Sequence, residues 1–264
     1  MLDSVTIHLL TGKFLVGCLL FIRISGMMIA APFFKNQNVI PHLKLMLTLI
    51  LAVIMTSAFW QEQPDLDFHL WYLVLLAVKE FMVGVAIGFS ANLVFFAARF
   101  AGGLLDFDMG YQTASMFGSD DSPTLLGEFN ELIALMVFLA INGHHYLIEG
   151  IFISVRAVPI TTFAVTESTY QLLVKMATTV LIIGIKIAAP VLIALFLTNL
   201  ALALLARVAP QTNIFILSFQ LKIVVGLLVL LASAPLLVYV TKYAMEQMQT
   251  EIMRILLTLN PARV

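Results

Sequence analysis

The chain has 264 residues, of which 61% are hydrophobic and only 11% are charged, and its formal net charge is −1. An average soluble domain has roughly 45–50% apolar and about 25% charged residues, so a soluble protein of this length could not bury so much apolar surface. The near balance of 14 basic and 15 acidic side chains excludes the basic footprint of a nucleic-acid-binding protein. The composition predicts an integral membrane protein, because the bilayer accepts apolar surface.

Six apolar regions are predicted to be helices, since each is near or above the roughly 20 residues that span about 30 Å of hydrocarbon. The runs are continuous and rich in Leu and Ala, whereas the strands of a membrane barrel alternate over about ten residues. The predicted fold class is therefore all-α, a polytopic helical membrane protein. The regions are Phe14–Phe34, Leu45–Trp60, Leu70–Ala98, Leu132–Ser154, Met176–Ala206 and Ile214–Thr241.

Charged residues inside or at the edges of these regions are the first feature that suggests a role. Each costs roughly 2.5–3.5 kcal/mol at the centre of a lipid-facing helix. Neighbours in sequence point about 100° apart on a helix, so an adjacent Lys and Glu do not face each other and each needs a partner elsewhere. We expect these faces to pack against partner subunits or to line water, and snorkelling of the basic side chains is the alternative. The residues are Arg23, Lys79, Glu80, Lys186 and Lys222.

The longest polar connection, Phe100–Glu131, is predicted to be a functional loop, because loops of this length are usually functional or disordered. Its centre, residues 106–123, mixes acidic residues and glycine with bulky or deformable apolar side chains, which suit a seal that yields to a polypeptide. An ordinary buried loop is the alternative. The residues that would form the seal are Phe107, Met109, Gly110, Met116, Phe117 and Gly118.

Two regions do not fit a plain bundle of membrane spans. As one helix, Gln171–Arg207 would be about 55 Å long, and Pro190 is expected to kink it. A short polar break at residues 209–213 then precedes the last apolar region, which predicts a long helical hairpin partly outside ordinary lipid. In contrast, the polar residues 142–145 interrupt a region that is otherwise long enough to span.

The sequence predicts neither an enzyme nor a cofactor or metal site. His145 and Glu149 could share a helical face, but two ligands are too few for zinc. Asp106 and Asp108 would point away from each other on a helix, so they do not form a catalytic carboxylate pair. A secondary transporter is the main rival, because transporters also contain broken helices and buried charges. However, the two halves of the chain show no clear inverted repeat.

Short motifs mark the apolar regions from about residue 20 to about residue 240. They are Arg23-Ile24-Ser25-Gly26, Ala31-Pro32-Phe33-Phe34, Val39-Ile40-Pro41, Arg99-Phe100-Ala101-Gly102-Gly103, Asp108-Met109-Gly110, residues 142–148, Ser154 with Pro159, residues 199–202 and 207–211, Asn213-Ile214-Phe215, and Lys222 with Gly226. In order and spacing they resemble the FliR/SctT family, the R subunit of the flagellar export gate and its injectisome counterpart. One departure is Gly103, where the family pattern has an acidic residue.

The resemblance implies a subunit that forms, with P- and Q-type subunits, the channel through which unfolded flagellar proteins leave the cytoplasm. Residues 1–168 would be P-like and residues 169–264 a Q-like helical hairpin with a C-terminal tail. One copy of the chain is expected in the inner membrane at the flagellar basal body, next to the other membrane export components. Residues 106–123 would form a channel plug. The region Asn213–Phe215 favours the flagellar branch, and an injectisome subunit is the alternative.

Overall fold

The computed structural model describes residues 4–32, 40–63, 69–111, 124–211 and 213–260. Within these residues the secondary structure is helical and contains no strand, which confirms the predicted all-α class. One short 3-10 helix, Trp60–Glu62, accompanies the α-helices. The α-helices are α1 Ser4–Ala30, α2 Pro41–Phe59, α3 Leu70–Met109, α4 Leu125–Ala140, α5 Gly143–Ala157, α6 Glu167–Val208 and α7 Ile214–Thr258.

Five of these helices, α1, α2, α3, α6 and α7, are long and apolar enough to cross a membrane, and the number rises to six if α4 and α5 form one broken span. Within the part of the chain that the structure describes, each of the six predicted apolar regions is therefore mainly helical. The predicted interruption within the fourth region is confirmed. It lies at Asn142, whose φ of 57° is in the left-handed region, which asparagine tolerates better than most residues.

The prediction of a loop from Phe100 to Glu131 is wrong at both ends. Helix α3 continues beyond Ala98 to Met109, and α4 already begins at Leu125. The extension presents Ala101, Leu105 and Met109 along one face, and all three are fully buried. Packing of such a face stabilises a helix more than local propensity does. Helix α3 ends at Gly110, whose φ of +86° is in the left-handed region that glycine reaches without strain.

The long helical hairpin is confirmed as two helices joined by a short connection. Helix α6 has 42 residues and continues through Pro190, and α7 has 45 residues and continues through Pro235. At 1.5 Å per residue, each helix is on the order of 60–70 Å long, about twice the thickness of the hydrocarbon core. The hairpin therefore extends well beyond what a simple membrane crossing requires.

The chain groups into two compact units. The first comprises Met1–Asn92, Asn142–Lys175 and Glu246–Val264, and the second comprises Leu93–Ile141 and Met176–Met245. These units follow the three-dimensional contacts. The predicted division at residue 168, into a P-like region and a Q-like hairpin, instead cuts the chain once, and it stays a prediction.

In the first unit, α1 and α3 pack with their backbones in close approach. A Cβ atom placed on Gly84 would lie 1.8 Å from the carbonyl oxygen of Arg23, and one on Gly88 would lie 2.7 Å from the carbonyl oxygen of Met27. Gly26 makes the matching approach from α1 toward Phe81. Gly84 and Gly88 are four residues apart, the spacing of small residues that lets membrane helices come close together.

The second unit has its own apolar core, built from the end of α3, the start of α4 and the middle of the hairpin. Its side chains interdigitate across all four helices. The core residues are Ala101, Leu105, Met109, Leu126, Ile187, Ala188, Val191, Leu195, Leu230 and Leu237.

We predict that Gly84→Ala destabilises the protein, because the added methyl group has no room beside the backbone of α1. Overpacking of this kind costs about 1–3 kcal/mol, and thermal unfolding of the purified protein in detergent measures it. Gly103→Ala is the matched control in the same helix, since its Cβ would meet only Thr124 Cγ2 at 3.9 Å. Equal unfolding temperatures for the two variants would contradict the close approach.

Candidate functional site

Arg23 lies in α1, fully buried in the first unit, and it connects three parts of the chain. Its Nε donates to Glu80 Oε2 of α3 at 2.5 Å. Its Nη1 donates to the Ser154 hydroxyl of α5 at 3.1 Å, and its Nη2 donates to the carbonyl oxygen of Val158 at 2.8 Å. The guanidinium therefore holds α1, α3 and the end of α5 in one hydrogen-bonded arrangement.

Glu80 is also fully buried, and this pair corrects one of the predictions made from the sequence. The faces that carry Arg23 and Glu80 were expected to pack against partner subunits or to line water, but the structure places the two side chains against each other within the chain. Sequence analysis could not find this pairing because 57 positions separate the residues. The signal that was available is the Gly84–Gly88 spacing, which brings α1 and α3 close enough for the contact.

The other three charged residues predicted within the apolar regions are not buried in the chain. Lys186 is exposed, and Lys79 and Lys222 are partly exposed. Their packing against partner subunits therefore stays a prediction.

The residues predicted to seal a channel fall into two groups. Met116, Phe117 and Gly118 lie outside the described residues. Phe107 and Met109 belong to the last turns of α3, not to a loop. Met109 is fully buried, and a Cβ on Gly226 of α7 would collide with its side chain, whereas Phe107 is 71% exposed. Gly110 lies against the ring of Phe219.

Asp106 anchors the start of α4 to the end of α3. Its side chain is almost completely buried, and Oδ2 accepts hydrogen bonds from the backbone N–H groups of Leu126 at 3.0 Å and Gly127 at 3.4 Å. The first N–H groups of a helix lack partners within the helix and carry partial positive charge, so a carboxylate stabilises them. This contact fixes both ends of the segment that connects α3 to α4.

Three further features lie near the contact between Asp106 and the start of α4. Arg99 of α3 forms an ion pair with Glu131 of α4, which the sequence analysis did not identify. Gly102 lies against the backbone of Leu126, so that a Cβ there would be 2.2 Å from its carbonyl oxygen. Gly103, the position that departs from the family pattern, has open space around it, with Thr124 Cγ2 at 3.9 Å as its near neighbour.

The two residues considered as metal ligands, His145 and Glu149, lie in α5 among other polar contacts. The rings of His144 and His145 lie 4.3 Å apart, and Glu149 accepts a hydrogen bond from Gln249 at 3.1 Å. No cluster of three or more potential ligands occurs in the part of the chain that the structure describes. The polar residues at the start of α5 thus have structural contacts within the first unit.

The sequence matches the family model described as bacterial export proteins, family 1, over residues 14–248. It is 33% identical over 248 residues to the flagellar biosynthetic protein FliR of Bacillus subtilis strain 168, covering 91% of this chain and 94% of that protein. The FliR protein of Escherichia coli K12 is 30% identical, with 82% and 83% covered. The Yop proteins translocation protein T of Yersinia pestis is 31% identical, with 76% and 74% covered.

We predict that Glu80→Gln destabilises the first unit by about 3–5 kcal/mol, because it leaves the Arg23 guanidinium buried without a counter-charge. The double variant Arg23→Met/Glu80→Gln should recover part of this loss, since it leaves no unpaired charge. Denaturant unfolding of the single and double variants in detergent measures the coupling.

Glu251→Gln is the control for this cycle. It breaks the Arg254–Glu251 pair, in which the two side chains are 51% and 28% exposed, and exposed pairs contribute only about 0–1 kcal/mol. If the double variant were as unstable as the sum of the two single variants, the pairing within the chain would be refuted.

Proposed function

Since the chain belongs to family 1 of the bacterial export proteins, we propose that it is a core structural subunit of the flagellar type III export gate. In this proposal it forms, with P- and Q-type subunits, a channel for unfolded flagellar proteins in the bacterial inner membrane. The observation that carries the proposal is the similarity to flagellar biosynthetic proteins over more than four-fifths of both chains. The chain contributes structure to the channel and no enzymatic activity.

An injectisome subunit is the second candidate, and it rests on the 31% identity to the Yersinia translocation protein. The flagellar assignment is favoured because the Bacillus flagellar protein is matched over more of both chains and at slightly higher identity. A deletion strain separates the two. Loss of motility and of flagellin secretion supports the flagellar assignment, whereas loss of effector secretion with normal motility supports the injectisome.

Assembly with other subunits is supported by the long hairpin. Helices α6 and α7 are about twice as long as a membrane crossing requires, and many of their large apolar side chains are exposed in the isolated chain. Lys186 and Lys222 lie within these apolar lengths, where contact with lipid would be unfavourable. Neighbouring Q-type hairpins would cover these surfaces, with residues 1–168 packing as the P-like part.

A plug function for the segment between α3 and α4 is supported by the way that its ends are held. Met109 is locked against α7, and Asp106 is bonded to the start of α4, so the ends have fixed positions. The intervening residues include Met116 and Phe117, whose apolar side chains are suited to excluding ions. Phe107 is exposed in the last turns of α3, before this segment, and would contribute to the same seal.

We predict that the tagged chain, co-expressed with its neighbouring membrane genes, purifies as a large complex. Native mass spectrometry should find one copy of this chain among several copies of two other small hydrophobic proteins. The alternative of a secondary transporter predicts a monomer or homodimer that is stable without those proteins, and that result would refute the export-gate proposal.

We predict that deleting Gly110–Ser119 increases ion leak through the reconstituted complex. The deletion starts after the last residue of α3 and leaves the Met109 and Asp106 contacts in place. Four residues remain between Met109 and Thr124, and a chain of that length can span at most roughly 16–18 Å from Cα to Cα. Conductance in planar bilayers measures the leak.

A Gly/Ser segment of the same length is the control for loop length. It should leak as well, because it lacks the bulky apolar side chains. Unchanged conductance in both variants, with the same subunit composition by native mass spectrometry, would rule out a plug in this segment.

A further inference from the structure

An open apolar groove runs along the hairpin of α1 and α2 in the first unit. Its volume of about 880 Å³ is within the roughly 300–1,000 Å³ that is usual for sites of bound small molecules. The surface is almost entirely apolar. Residues that line its length include Phe14, Gly17, Cys18, Phe21, Leu49 and Val53.

The floor of the groove is formed where the two helices touch. A Cβ on Gly17 would lie 3.2 Å from Thr56 Oγ1, so glycine at this position lets α1 and α2 approach closely beneath the groove. The Thr56 hydroxyl donates to the carbonyl oxygen of Ala52 in its own helix at 2.7 Å. The hydroxyl proton is therefore used in a hydrogen bond within α2. The floor of the groove favours a hydrocarbon chain over a polar ligand.

One end of the groove carries a positively charged side chain. Lys13 lines this end, and its Nζ lies 5.8 Å from the centroid of the Trp60 ring. Among the described residues no carboxylate forms an ion pair with Lys13, and the nearby Glu62 is paired with Arg156. Tryptophan is enriched at the interface between lipid headgroups and hydrocarbon, and lysine extends its charged end to the same level.

The Lys13 cation suits the phosphate of a phospholipid, and the apolar groove suits its acyl chain. The lining of α1 from Lys13 to Ile22 extends about 13–14 Å along the helix axis, close to half of the hydrocarbon thickness. A partner helix is a poorer match, because it is about 10–12 Å wide and needs about 30 Å to span. We propose that this groove binds one phospholipid, with an acyl chain along α1 and α2 and its phosphate beside Lys13.

The test begins with native mass spectrometry of the full chain in its purified complex, supplied with phosphatidylethanolamine in mild detergent. We expect one retained phospholipid per copy of the chain. Lys13→Gln should lower the retained fraction at least several-fold, and Val53→Trp should lower it by filling the groove. Arg254→Gln removes an exposed positive charge outside the groove, and it should retain lipid as the unchanged protein does.

A second measurement locates the lipid. Cys18 is the single cysteine of the chain and is exposed in the groove, so a small fluorophore can be attached there. Phospholipid brominated on its acyl chains should quench this fluorophore, and the quenching should persist after transfer to unbrominated lipid. A fluorophore at Val78→Cys in a Cys18→Ser background reports ordinary lipid contact, and its quenching should vanish on transfer.

Each contrary result overturns the proposal. Equal lipid retention by Lys13→Gln would show that the phosphate is not held at this lysine. Retention by Val53→Trp would place the lipid elsewhere. An unquenched Cys18 fluorophore would show that protein fills the groove in the complex.

Discussion

The buried ion pair between Arg23 and Glu80 is the interaction on which the first unit depends. A charge enclosed in apolar surroundings is tolerable only with a counter-charge and hydrogen bonds. Here Glu80, Ser154 and Val158 supply them. This requirement dictates much of the local architecture. The guanidinium reaches its partners only if α1 and α3 come close together, and the glycine at position 84 permits that approach.

A comparable constraint shapes the second unit, where a carboxylate meets a helix terminus. Asp106 satisfies the first N–H groups of α4 without a basic side chain, and it is buried by the same packing that encloses Leu105 and Met109. In each unit, a buried acidic or basic side chain thus joins elements that are separated in sequence. Rigid ends of this kind are what a segment between α3 and α4 would need in order to close a passage and reopen it.

Sequence reasoning identified the helices well, because continuous apolar runs leave few alternatives in a membrane protein. It also placed the interruption at Asn142 and the hairpin at α6 and α7. It failed where tertiary contacts decide the outcome. Helix α3 extends beyond Ala98 because Leu105 and Met109 are buried against distant helices, and no local pattern reveals those partners. The pairing of Arg23 with Glu80 was hidden for the same reason, although the spacing of Gly84 and Gly88 was a readable sign of close helices.

The sequence separation between Arg23 and its hydrogen-bond partners also determines when these contacts can form during synthesis. Helix α1 leaves the ribosome before α3, and the two contacts near the end of α5 lie 131 and 135 positions after Arg23. Until those segments exist, the arginine has none of its native partners, and full exposure of α1 to lipid would cost roughly 2.5–3.5 kcal/mol at this residue. The first helix is therefore expected to remain in a sheltered, partly hydrated environment of the insertion machinery until the third helix arrives. Its final integration becomes a late event, although α1 is made before α3 and α5.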